Sequence, residues 1–115
     1  MAEPSTLEVD PAEPVGTIAG VEIDGTRFAV VHHTEGWVVF EDRCPHAGCS
    51  FVEDGGEVAD GTTLLCACHG SEFDLSDGRV LLGPASRGLK ITPLRAEGGR
   101  LRTGGRSPES RGTAG

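Results

Sequence analysis

The side chains best suited to chemistry lie in two short ribbons near the middle of the chain, Cys44-Pro45-His46-Ala47-Gly48-Cys49 and, nineteen intervening residues after His46, Cys66-Ala67-Cys68-His69-Gly70-Ser71. Each ribbon offers thiol and imidazole at close spacing. Set on turns between strands, a Cys-x-His pair and a Cys-x-x-His pair can converge and give two thiolates and two imidazoles to one site. Such a donor set suits soft or borderline metals, either zinc or an iron–sulfur cluster. A single zinc takes four ligands and leaves over Cys49 and Cys68, which stand at comparable places in the two ribbons.

The elements that must position these ribbons read as strands. Residues 27–32 and 37–40 are apolar runs on either side of Glu35-Gly36, a hairpin pattern, and Asp24-Gly25 marks a turn before it. Further runs at 62–65, 72–75, 79–82 and 89–94 lie behind Asp60-Gly61, Asp77-Gly78 and Gly83-Pro84. No window sustains a helical period over four turns, and 18 Gly with 7 Pro make helix interiors costly. The expected fold is all-β, with antiparallel strands closed into a small barrel or sandwich. A chain of 115 residues has room for one such domain. Residues 1–14, rich in Pro, Glu and Asp, and residues 104–115, built of Gly, Ser, Arg and Pro, have compositions that do not order themselves. They are expected as flexible tails around a domain at 15–103. His32 and His33 read as surface or strand-end residues, Trp37 and Phe40 as core, and Asp74 and Asp77 as turn residues.

Charge narrows the partners. Ten Lys and Arg against 18 Asp and Glu give a formal net charge of −8, which disfavours nucleic acid, whose binding depends on clustered cations. The acids are concentrated: residues 41–78 hold nine acids and one base, Arg43, whereas residues 79–115 hold two acids and eight bases. No run approaches the roughly 20 apolar residues of a membrane helix, and Met1-Ala2-Glu3-Pro4 lacks a signal-peptide start, so a cytoplasmic address without a membrane anchor is expected.

The two ribbons together resemble the Rieske family of [2Fe–2S] proteins, whose motif is Cys-x-His-x-x-Cys followed by Cys-x-Cys-His-Gly-Ser. The resemblance covers about residues 15–103 and implies a Rieske-type antiparallel fold with a cluster-binding subdomain of two loops at about 43–84. It implies that Cys44 and Cys66 hold one iron and His46 and His69 the other, and that Cys49 and Cys68 form a disulfide between the loops. Gly48, Gly70, Gly83 and Pro84 belong by resemblance to the surroundings of the cluster, with Gly83-Pro84 shielding it. Two neutral imidazoles in place of two thiolates ease the addition of an electron. Rieske centres accordingly span roughly −150 to +300 mV, against about −400 mV for plant-type ferredoxins. The resemblance gives Ser71 a hydroxyl that donates to a bridging sulfide and raises the potential. Phe73 stands where high-potential members carry a Tyr, and lacks that donor. With the disulfide, these opposed features imply an intermediate potential. The second ring N–H of each ligand histidine is more acidic beside ferric iron, so the midpoint is expected to fall as pH rises into the alkaline range.

Soluble family members of about this length are ferredoxins. The resemblance therefore implies a monomeric electron carrier, not itself an enzyme, that takes electrons from a flavin-dependent ferredoxin reductase and passes them to a terminal oxygenase. The acids of 41–78 would steer it to basic patches on both partners. The competing readings are a fixed Rieske subunit of a larger oxidoreductase and a zinc-stapled β domain with no redox role. An oxygenase in its own right is not expected within this length, because its mononuclear iron needs a further domain.

Overall fold

A computed structural model describes residues 6–7, 9–45, 48–68, 70–83, 87–97 and 99–103. The strands in chain order are β1 (Thr6–Leu7), β2 (Ile18–Ile23), β3 (Thr26–His33), β4 (Gly36–Glu41), β5 (Glu57–Ala59), β6 (Thr63–Leu65), β7 (Glu72–Asp74), β8 (Val80–Leu82), β9 (Thr92–Glu97) and β10 (Arg100–Thr103). Six form a large antiparallel sheet in the order β1-β10-β9-β4-β3-β2, and four form a small one in the order β5-β6-β7-β8. No helix occurs among the described residues.

The hairpin read from 27–40 is β3–β4, with His33 opposite Gly36 and Phe28 opposite Glu41. Asp24 and Gly25 carry φ of 51° and 84° between the paired Ile23 and Thr26, the left-handed backbone that a two-residue hairpin turn needs. The apolar runs of β3 and β4 are continuous rather than alternating because the large sheet is buried on both faces. On one face Ala29, Val31, Val38 and Phe40 pack with Leu64, Phe73 and Leu75 of the small-sheet layer. On the other, Val30, Trp37 and Val39 pack with Leu94 and Leu101. Val21 and Ile23 of β2 join that second cluster although three strands separate β2 from β10, so the large sheet curls around it as a half-barrel.

Two expectations change. The run at 89–94 becomes strand only from Thr92; Leu89 reaches the first core from a loop, its N–H donating to the Gly78 carbonyl at 2.8 Å. The N-terminal boundary also moves, since residues expected in a flexible tail are built into the fold. Thr6–Leu7 pairs with β10, and Val9 packs on the second core. The indole N–H of Trp37 donates to the Pro11 carbonyl at 3.3 Å, and His32 Nδ1 lies 2.7 Å from the Glu13 carbonyl oxygen. Since a carbonyl only accepts, that ring nitrogen carries the proton. His32 also stacks on Trp37, its cross-strand partner, with centroids 4.4 Å apart. A polar, proline-rich segment is thus held through its backbone carbonyls, a source of order that composition does not reveal. Residues 104–115 lie outside the described residues.

Candidate metal centre

The two ribbons come from different sheets and meet at Cys49 and Cys68. The first leaves the end of β4, which belongs to the large sheet, and the second connects β6 to β7 in the small sheet. Their backbones close in the same way. Cys44 N–H donates to the Cys49 carbonyl at 2.8 Å and Gly48 N–H to the Cys44 carbonyl at 2.7 Å. In the second ribbon Cys66 N–H donates to the Ser71 carbonyl at 2.8 Å and Gly70 N–H to the Cys66 carbonyl at 2.9 Å. Gly48 and Gly70 have φ of 77° and 81°, where a Cβ is disfavoured, so each ribbon has glycine at its fourth position after the cysteine. This frame matches Cys44 with Cys66 and Cys49 with Ser71. Cys49 and Cys68 are therefore not equivalent by position, a correction to the reading from spacing; they meet because the ribbons face each other.

Cys49 and Cys68 are joined by a disulfide, with Cα atoms 6.6 Å apart. Cys44 and Cys66 remain as thiols, 1% and 3% exposed, inside the core that the two sheets share. His46, His69 and Pro84 lie outside the described residues. Gly83 is exposed at the end of β8, while Ser71 and Phe73 are fully buried. Phe73 meets Phe51 edge-on at 6.1 Å, and Phe51 meets Phe40 edge-on at 5.6 Å, so a cluster of three rings packs in the same core as Cys44 and Cys66. Two buried thiols at matched positions of facing loops, tied by a second pair of cysteines, fit the sulfur half of a two-thiolate, two-imidazole donor set.

The residue that sequence reading missed is Asp42. It is one of the nine acids counted in 41–78 but is buried, and its Oδ1 accepts the N–H groups of Phe51 at 2.6 Å and Val52 at 3.2 Å. Its other oxygen accepts the Ser50 hydroxyl, whose oxygen in turn accepts Glu53 N–H at 2.9 Å. Nearby, Arg27 pairs with Glu53 at 2.7 Å on the surface. The sequence signal was an acid two residues before the first cysteine, directly after an apolar strand. Asp77 pairs with Arg79 within the turn after β7, as expected of a turn residue, whereas Asp74, which also pairs with Arg79, is the last residue of β7 itself. His33 ends β3 as expected but is buried, and that burial lowers its pKa against the opposing pull of Glu35 and Asp74. A cleft of 340 Å³ opens beside the second ribbon, lined by Cys66, Ala67 and Gly70 with Glu57 and Glu72 on either side of Leu65.

The Rieske [2Fe-2S] domain model matches residues 5–93. The chain belongs to the Rieske [2Fe–2S] family. A domain of this family carries one Rieske [2Fe–2S] cluster, and a ferredoxin relative of this chain is the electron-carrier component of an oxygenase system rather than its catalytic one. The chain is 32% identical over 89 residues to the ferredoxin component of the naphthalene 1,2-dioxygenase system of Pseudomonas aeruginosa, covering 76% of this chain and 82% of that one. It is 39% identical over 72 residues to the ubiquinol-cytochrome c reductase iron-sulfur subunit of Rickettsia typhi, covering 63% of this chain but only 37% of that longer protein. The ferredoxin of carbazole 1,9a-dioxygenase from Nocardioides aromaticivorans IC177 shares the fold, with a TM-score of 0.74 at 17% identity over 89% of this chain and 97% of that one. No helix among the described residues is long and apolar enough to cross a membrane.

Proposed function

We propose that this Rieske protein is the ferredoxin of an oxygenase system, receiving electrons from a flavin-dependent reductase and delivering them to a terminal oxygenase. The observation that carries the reading is similarity to a dioxygenase ferredoxin across most of both chains, joined to the paired frame of the ribbons. Cys44 and Cys66 would hold one iron, and His46 and His69 the other. When bound, the cluster supplies a site that takes and returns one electron at a time. The chain's own residues do the rest. The Cys49–Cys68 bridge ties the two loops, Asp42 fixes the first of them, and the Phe40–Phe51–Phe73 cluster excludes water from the sulfur side. Buried Ser71 is the hydroxyl that tunes the potential, while Phe73 contributes no donor. Glu57 and Glu72, beside the ribbon of Cys66, supply the negative field that draws basic partner surfaces.

Reconstitution tests this reading. Hydroxylated product should form only when reductase, this protein and oxygenase are all present, with many turnovers at substoichiometric carrier and rates that fall as salt rises. A protein that purifies only at fixed ratio within a larger complex, and supports no turnover when free, would instead be a permanent subunit.

A further inference from the structure

The bridge between the ribbons is partly open to solvent: Cys68 is exposed and Cys49 half-buried. An accessible disulfide sulfur can be attacked by a thiolate. Yet a carboxylate oxygen of Asp54 lies within 4.8 Å of both sulfurs. The Asp54 side chain is held there, because its Oδ2 accepts Ser50 N–H at 2.9 Å while Asp54 N–H donates to the Ser50 carbonyl at 3.0 Å. Neither bridged sulfur carries a proton to donate, so the carboxylate gains no hydrogen bond from them.

We propose that Asp54 is a charge guard for the Cys49–Cys68 bridge, setting its rate of reduction by thiols according to their charge and protecting it most from anionic ones. Reduction takes two exchanges. A thiolate attacks the Sγ of Cys68, the more exposed of the two residues, the S–S bond breaks, a mixed disulfide forms at Cys68, and Cys49 leaves as a thiolate that takes up a proton. A second thiolate then attacks the reagent's sulfur in the mixed disulfide and releases Cys68, so two thiols give two electrons and become one disulfide. Both the incoming and the departing sulfur of the first exchange are anions beside Asp54. Across about 6 Å of water, one unit of like charge slows such a step about threefold, and salt weakens the effect. Arg43, whose Nε is 3.7 Å from where a Cβ on Gly48 would lie, is a cation directly before the first ribbon. It is unchanged in the comparison below and cancels from it.

The test compares cluster-loaded protein with its Asp54→Asn variant, which keeps an oxygen for Ser50 N–H. Bridge opening by glutathione, an anionic thiol, and by cysteamine, whose ammonium offsets its thiolate, is followed by alkylation and mass spectrometry at low salt. The variant should open about threefold faster with glutathione, clearly less so with cysteamine, and the difference should shrink at high salt. Equal acceleration by both thiols would mean that the substitution merely loosens the loop, and would overturn the proposal. So would identical rates in the two proteins, including a bridge that neither thiol opens.

Discussion

The two ribbons share a backbone frame but are secured by different means. The second joins β6 to β7, which are paired strands, and the register Leu65 opposite Glu72 fixes both of its ends. The first leaves β4 in the large sheet and leads to β5 in the small one, so its ends have no common ladder. Asp42 supplies what the ladder would have given, by gathering the Phe51 and Val52 N–H groups and the Ser50 hydroxyl behind Cys44. One buried carboxylate thus does for one loop what strand pairing does for the other. Matched loops need not have matched supports.

Several substitutions can break or sharpen that comparison. The largest effect should be indifferent to it. Cys44→Ser and Cys66→Ser should each abolish cluster retention, seen as loss of iron and of visible absorption, whichever ribbon is altered. Next, Asp42→Ala should cost about 2 kcal/mol in urea unfolding of the loaded protein, since it strips a charged acceptor from the buried Phe51 N–H and from two part-buried donors, Val52 N–H and the Ser50 hydroxyl. No single side-chain deletion beside the second ribbon, other than at its ligands, should act in the same way; an Asp42→Ala protein with unchanged stability would erase the distinction. Gly48→Ala and Gly70→Ala should each cost about 1 kcal/mol through the left-handed backbone alone, and near-equal values would confirm the shared frame. The smallest effect lies outside both ribbons, at His33. Burial favours its neutral form in the fold, so the unfolded chain takes up the proton first as pH falls below the ordinary histidine value of 6.5. Stability should therefore be full above that value and decline below it until the folded protein also binds the proton. A His33→Gln variant should flatten that slope in thermal melts taken across the range.

Much of this was legible in the residues. The Asp-Gly pairs and the apolar runs around Glu35-Gly36 mark turns and strands because turn chemistry is local. The cysteines announce themselves because few other uses call for two thiol–imidazole ribbons in so short a span. What the sequence hid was context. Asp42 looks like any other acid until three donors are seen to converge on it. The segment at 9–14 looks like a tail because its anchors are carbonyls, which every residue has, while the groups that grip them, His32 and Trp37, lie some twenty residues away. The uneven support of the ribbons was hidden for the same reason, since it depends on which strands pair.

The seating of residues 9–14 has a practical corollary. Trp37 is the only tryptophan in the chain, and its indole is pinned between His32 and the Pro11 carbonyl on the core cluster that excludes Cys44 and Cys66. At a fixed cluster content, its emission is consequently a built-in gauge of whether the N-terminal strap is docked.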